Sequence, residues 1–339
     1  MELEGTVLRG PELEPIGGRV VVEDGAIAAV EEADVDGDAI VAPAFVNAHT
    51  HLGDSVAKDA GLEEDLTLAE LVAPPDGLKH RLLDAADRDD LVGAMRRSLR
   101  YMGEGGTAAC IEFREGGVPG VRALVEAARG LPVDPVTLGR ETVAAMAESD
   151  GFGASGAADA DFENERTATR EAGKLFGIHA GEVDATDIDP ALDLDPDFLV
   201  HVVHPEPHHL DRIEDRETPV VLCPRSNAAT DVGLPPAAAL AERTTVALGT
   251  DNVFTNSPSM FREMEFLAKT SDLDSRQVLH AATLAGADIA GLDHGPIEAG
   301  QPAALQVLDG DSDNLSGTRD PVRALVHRAE MGDVERLIV

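Results

Sequence analysis

The chain has no tryptophan, one tyrosine (Tyr101) and two cysteines in 339 residues, and aromatics make up only 3% of it. So few aromatic rings leave no visible stacking cage for a large purine. Phe113, Phe152 and Phe254 are the aromatics placed near strand ends, where they could line a pocket. Two cysteines cannot make a disulfide framework. Cys110 and Cys223 lie in apolar runs and read as small core residues. Positive charge is scarce too: 27 Lys and Arg stand against 64 Asp and Glu, a formal net charge of -37, and Lys58, Lys79, Lys174 and Lys269 are the only lysines. That balance excludes nucleic acid and anionic lipid as main partners, since both require a positive face. No uncharged apolar run is long enough to span a bilayer. The opening MELEGTVLRG lacks the basic segment and apolar stretch of a secretory leader. The expectation is a cytoplasmic protein acting on a small molecule, with a homo-oligomer open. An acidic, lysine-poor surface on a core of ordinary apolar content (43% hydrophobic residues) fits solubility in very high salt, so a halophilic source is expected.

What the chain does have is alternation. Strand-like apolar runs at Ala39–Val46, Thr107–Phe113, Val133–Gly139, Gly151–Ser155, Leu175–His179, Phe198–His204, Pro219–Cys223 and Thr245–Asp251 are separated by helix-like segments such as Arg88–Met102 and Val121–Arg129. Helices at Ser259–Thr270 and Ser275–Ala290 close the series. Eight β-then-α units with buried, non-alternating strands predict an α/β fold, a (β/α)8 TIM barrel over residues 43–294. A doubly wound sheet usually has fewer strands and a Gly-rich first turn. The ends stand apart. Residues 1–42 and 295–339 carry short strands at Gly18–Val22, Gly25–Val30, Ala304–Leu308, Val322–His327 and Val334–Val339, which predict a small β-sandwich domain. The longest connection, Leu52–Asp87, follows the first barrel strand and could form a lid or an arm to a neighbouring subunit.

A barrel places its chemistry at the C-terminal ends of its strands. Four strand ends here carry residues able to bind a metal: His49 and His51, His179, His201 (with His204 close by), and Asp251. His49 and His51 are two apart on an extended strand, so both point to one side, as two ligands of one ion must. An open zinc site takes three or four such ligands at about 2.0–2.1 Å, and His179 and Asp251 supply the rest. His208 and His209 follow a Pro-rich turn and read as surface residues, as do His80, His280, His294 and His327.

The order of these segments resembles the amidohydrolase superfamily. Pro43-Ala44-Phe45-Val46-Asn47-Ala48-His49-Thr50-His51-Leu52 is similar to its opening PGFVNxHxHL motif, and His179-Ala180-Gly181-Glu182 to its H-x-x-E. Val200-His201-Val202-Val203-His204, Pro224-Arg225-Ser226-Asn227 and Gly249-Thr250-Asp251 resemble the motifs of strands six, seven and eight. Gly295–Leu305 resembles the return into the sandwich. The H-x-x-E form points to the cytosine-deaminase-like and chlorohydrolase-like branch. The resemblance implies one divalent metal, Zn²⁺ first and Fe²⁺ or Ni²⁺ as alternatives, on His49, His51, His179 and Asp251. Such a metal lowers the pKa of its water toward 7. Asp251 would then take a proton from that water, Glu182 would pass one to the substrate, and His201 would stabilise the developing oxyanion. No lysine ends strand four, so a carboxylated lysine bridging two metals is not expected. Ala44 stands where the family has Gly, and Gln301-Pro302-Ala303-Ala304 lacks the usual acidic residue; neither touches the metal set.

Glu112, Arg114, Arg140, Arg225 and Asn227 at other strand ends are candidate substrate contacts. Arg140 and Arg225 would favour a carboxylate or phosphate on the substrate. The implied reaction is hydrolytic deamination of an amino-substituted heterocycle. Hydrolysis of a cyclic amide or amidine by the same site is the alternative, and a non-catalytic binding member is the third reading.

Overall fold

The computed structural model describes all residues except 36, 61–65 and 73–75, and all side chains of the described part except those of residues 68 and 69. The Leu52–Asp87 connection therefore lies partly outside the described residues. Strands β1 (Glu2–Arg9), β2 (Glu14–Glu23), β3 (Ala26–Glu32) and β4 (Ile40–Pro43) come first in the chain. Nine short strands follow: β5 (Phe45–His51), β6 (Thr107–Arg114), β7 (Asp134–Gly139), β8 (Gly151–Gly156), β9 (Leu175–Ala180), β10 (Phe198–His201), β11 (Val220–Leu222), β12 (Val246–Leu248) and β13 (Asp251–Asn252). Strands β14 (Leu305–Leu308) and β15 (Val334–Ile338) end it.

The nine form one sheet in the order β12-β11-β10-β9-β8-β7-β6-β5-β13, and every pairing in it is parallel. Its two end strands, β12 and β13, are separated in the chain only by Gly249 and Thr250. The sheet therefore curls back on itself, as a TIM-like barrel does. Helices cover its outer face, so strands such as β6 are buried along their whole length. This is why the sequence shows continuous apolar runs instead of alternation. The turn between β12 and β13 is tight. A Cβ on Gly249 would lie 2.7 Å from the His49 backbone nitrogen and 3.0 Å from its carbonyl oxygen. Only glycine lets the last strand approach the first metal-candidate strand so closely.

The chain ends meet in a six-stranded sheet, order β15-β14-β4-β1-β2-β3. It is mixed, because β1 and β4 run parallel while its other pairs are antiparallel. Three sequence expectations change here. The Ala39–Val46 run is two strands: β4 belongs to the terminal sheet, and the chain crosses at Ala44 into β5. Both sides of the crossing are buried, so hydrophobicity gives no sign of it. Val322–His327, expected as a strand, lies within a helix, Pro321–His327. Asp320 caps that helix by accepting the Arg323 N–H, and Pro321 occupies its first turn. That Asp-Pro start outweighs the β-branched residues. The Ser275–Ala290 helix is likewise interrupted, at Thr283.

Candidate metal centre and substrate cavity

The pairing of β13 with β5 sets Asp251 opposite Thr50, between the two histidines. Asp251 Oδ1 lies 3.3 Å from His49 Nε2 and 3.6 Å from His51 Nε2. His179 Nε2, from the end of β9, is 3.2 Å from His49 Nε2. One ligand atom from each of His49, His51, His179 and Asp251 falls within 4.8 Å of all the others. Phe113 packs beneath them, its ring centroid 4.6 Å from that of His49 and 5.1 Å from that of His179. Glycine at 153 and 177 makes room for that ring, since a Cβ at either would lie within 2.8 Å of it. Phe113 is thus the floor of the cluster. Neither it nor Phe152 nor Phe254 lines the cavity above.

The donor set fits a divalent ion. His51 Nδ1 donates to Glu115 Oε1 at 2.8 Å and His179 Nδ1 donates to the Ala154 carbonyl at 2.8 Å. Each ring has used its Nδ1 hydrogen and so presents an Nε2 lone pair to the cluster. His49 has no partner at Nδ1 among the described residues, and its polar contacts are all at Nε2. Burial lowers the pKa of all three imidazoles, that of His51 to about 3. They are therefore neutral at pH 7, the form that ligates. Burial works against the Asp251 carboxylate, but the His49 contact, with His201 and His51 nearby, holds it well below the usual range. Three neutral imidazoles and one carboxylate make the N₃O set of a mononuclear zinc-type site. Ser226 and Asn252 both donate to Asp251 Oδ2, which fixes the carboxylate with Oδ1 toward the histidines.

Glu182, His201 and Asp251 form a second cluster sharing that aspartate. His201 Nε2 is 3.6 Å from Glu182 Oε2. Asn227 Nδ2 donates to His201 Nδ1 at 3.1 Å, which leaves a hydrogen on Nε2, facing Glu182. Burial raises the Glu182 pKa, against the pull of His201. His201, Val202 and Asp251 hold positive φ angles of 77°, 49° and 57°. Such left-handed backbone is uncommon outside glycine and here turns the strand ends toward one point. His204 points away, to the Val232 carbonyl at 2.8 Å. Of the pair read as surface residues, His208 is exposed, but His209 is buried and its Nδ1 accepts the Glu206 N–H in a helix cap.

A cavity of about 330 Å³ opens over both clusters. His51, His179, Glu182, His201 and Asp251 line it, together with Lys79, Arg140 and Asn252. Among the expected substrate contacts, Arg140 alone lines it. Glu112 and Arg114 are buried on the face of β6 opposite Phe113, toward the helix that carries Met95, Glu112 accepting from Thr50 Oγ1 and the Leu52 N–H and pairing with Arg114 at 3.3 Å. Asn227 acts behind His201. Arg225 is held by Asn256, Ser257 and Glu263 away from the cavity. Lys79, Glu115, Asp54, Ser226 and Asn252 are site residues that sequence reasoning missed. Lys79 had one signal, as one of so few lysines. Ser226 lies inside the strand-seven motif, where nothing in the spacing gave it a role.

Glu263 carries a checkable consequence of its burial. Loss of solvent pushes its carboxyl up to about 7 despite Arg225. The unfolded carboxyl ionises at about 4.3, so the stability Glu263 contributes is complete below that value and is lost as pH rises through 7. Glu263→Gln removes this titration. Its melting temperature relative to the unsubstituted chain is therefore higher at pH 8.5 than at pH 5.5; a gap independent of pH would contradict the burial argument.

The amidohydrolase family profile matches residues 40–194 and 191–339. A provisionally named aminohydrolase of Methanothermobacter thermautotrophicus is 36% identical, over 99% of this chain and 96% of the relative. A 5-methylthioadenosine/S-adenosylhomocysteine deaminase of Halobacterium salinarum is 28% identical, over 95% of this chain and 84% of its own. Among solved structures, an adenosine deaminase of Xanthomonas campestris with bound zinc matches with a TM-score of 0.80, over 99% of this chain and 90% of that one, at 20% identity. At that identity the likeness is one of fold.

Proposed function

Since the chain belongs to the amidohydrolase family and is an enzyme acting on carbon–nitrogen bonds, we propose that its reaction is the hydrolytic deamination of an amino-substituted heterocycle. The observation that carries this reading is that Asp251 is shared by two clusters, one of metal-ligand type and one of acid–base type, under a single cavity. His49, His51, His179 and Asp251 would hold one divalent ion, zinc first, whose Lewis acidity brings the pKa of a water toward 7. Asp251 takes a proton from the attacking water, its orientation fixed by Ser226 and Asn252. Glu182 carries a proton to the ring nitrogen or leaving amine, and burial, which raises its pKa, works in favour of the protonated form that this task needs. His201 donates its Nε2 hydrogen to the oxygen that gains charge as the tetrahedral carbon forms. The amino-purine nucleosides in the name of the Halobacterium relative are the first substrates to try.

We also propose that residues 43–294 form the closed (β/α)8 barrel, with 1–42 and 295–339 as its sandwich-type companion. The contact of β13 with β5 and the joining of both termini in one sheet support this. Ammonia release, screened across amino-purine nucleosides, aminopyrimidines and pterins, tests the reaction. Ammonia from at least one class supports it; ring opening without ammonia transfers the site to cyclic amides or amidines and rejects deamination.

We read the 64 acidic against 27 basic residues as a surface adapted to molar salt. Screening then matters more than exposed ion pairs, and the chain's melting temperature rises between 0.1 and 2 M KCl. A fall over that range would reject the reading.

A further inference from the structure

Lys79 and Arg140 are the only lysine and arginine among the described residues lining the cavity. They come from different parts of the fold: Lys79 from the helix Leu78–Ala85, Arg140 from the residue after β7. Both reach the same oxygen. Glu115 Oε1 lies 2.8 Å from His51 Nδ1, 2.9 Å from Lys79 Nζ and 3.0 Å from Arg140 Nη1. A carboxylate oxygen has two lone-pair directions, so three donors oversubscribe it. Glu115 Oε2 is turned from all three donors: it makes no hydrogen bond among the described residues and lies 3.4 Å from Arg114 Nη2. Lys79 also approaches Asp54 Oδ2 at 3.1 Å, but Asp54 is fully enclosed and lies off the cavity wall. For Arg140, the bond to Glu115 is its only side-chain hydrogen bond among the described residues, leaving the rest of its five N–H donors uncommitted at the cavity wall.

We propose that Lys79 and Arg140 form an anion subsite beside the metal cluster, so that the substrate is an amino-substituted heterocycle bearing a carboxylate or phosphate group. This rests on the deaminase reading for the word heterocycle, but the subsite itself is a claim about two cations. In a chain with so large an excess of acid, cations placed on the cavity wall are the local donors an anionic ligand can use. Guanidinium suits the task because its planar fork matches carboxylate and phosphate oxygens in pairs. The acids that line the cavity elsewhere, Asp159, Asp184 and Asp187, follow β8 and β9, whereas the two cations follow β5 and β7. The anionic end of a ligand therefore has one favourable orientation, with its neutral or hydroxyl-bearing part toward the acids. Glu115 has a second role in this arrangement. By holding both cations and the His51 ring, it places the subsite at a fixed distance from the metal ligands.

The test uses the zinc-loaded full chain and two probes, inorganic phosphate and acetate, followed by calorimetric titration. The expected result is binding of at least one probe, weakened tenfold or more in Arg140→Met. The tighter of the two tells a phosphate-bearing from a carboxylate-bearing substrate. Lys79 is buried against two carboxylates and its loss endangers folding, so Lys79→Arg, which keeps the charge, is compared with Lys79→Met. Retained binding in the first and loss in the second, or in Arg140→Met alone if Lys79→Met does not fold, supports the subsite. If neither probe binds, or if phosphate binds Arg140→Met as tightly as the unsubstituted chain, the subsite does not exist. A turnover arm compares adenosine with adenosine 5′-monophosphate and S-adenosylhomocysteine. Failure of all three to release ammonia removes these purine nucleosides as substrates and passes the deaminase reading to the wider heterocycle screen, whereas the titration decides the subsite alone.

Discussion

Glu182→Gln lowers kcat by about 10²–10⁴-fold, the range that removal of a positioned acid–base group produces, while metal content and melting temperature stay where they were. Glu182 lines the cavity, sits 3.6 Å from His201 and makes no bond that holds the barrel together. Glutamine keeps its size and its capacity to accept from His201, but it cannot give up a proton and regain it within one turnover. The loss therefore falls on the chemical step more than on KM. His201→Asn is the companion measurement. It removes the Nε2 donor and costs a similar factor, and because both groups stabilise one tetrahedral transition state the double variant is less impaired than the product of the singles. Purely multiplicative losses would mean that the two act separately.

A larger loss is expected at Asp251. Asp251→Asn preserves shape but removes the one carboxylate among His49, His51 and His179. The introduced amide can still accept from Ser226 and Asn252 through its oxygen, so the change reads charge and basicity instead of packing. Two functions disappear together: a metal ligand and the proton acceptor for water. Activity falls to background, more than about 10⁴-fold, since groups that act as a unit fail as a unit. Metal affinity drops by at least the roughly 10–100-fold that loss of a mere supporting contact produces. Equilibrium dialysis followed by metal analysis checks the second statement. Full metal occupancy at the same free concentration as the unsubstituted chain would remove Asp251 from the ligand set.

The metal-type cluster was legible in the sequence because each member sits at the end of a strand that announces itself. His49-Thr50-His51, His179 and Thr250-Asp251 all close buried apolar runs, and a barrel turns strand order into spatial convergence. Glu182 and His201 were reachable for the same reason. The substrate wall was not. Arg114 and Arg225 look identical to Arg140 in sequence, each following a strand, yet Glu112 encloses the first and Glu263 the second. Nothing local distinguishes an arginine paired to a carboxylate beneath the sheet from one facing a cavity. Lys79 was harder still, because it reaches the site from a connection whose length gave no register. The crossing at Ala44 and the helix at Pro321–His327 show the same limit in the fold. Apolar character marks burial, but not which sheet or which kind of element buries the residue.

On the reaction proposed above, carbon–nitrogen hydrolysis requires one divalent ion held by His49, His51, His179 and Asp251. The most direct measurement is a titration of chelator-stripped protein with Zn²⁺, following ammonia release from the best substrate found. The expected result is no activity without metal, a linear rise, and a break at one equivalent per chain. Activity that survives stripping, or a break at two equivalents, would contradict it.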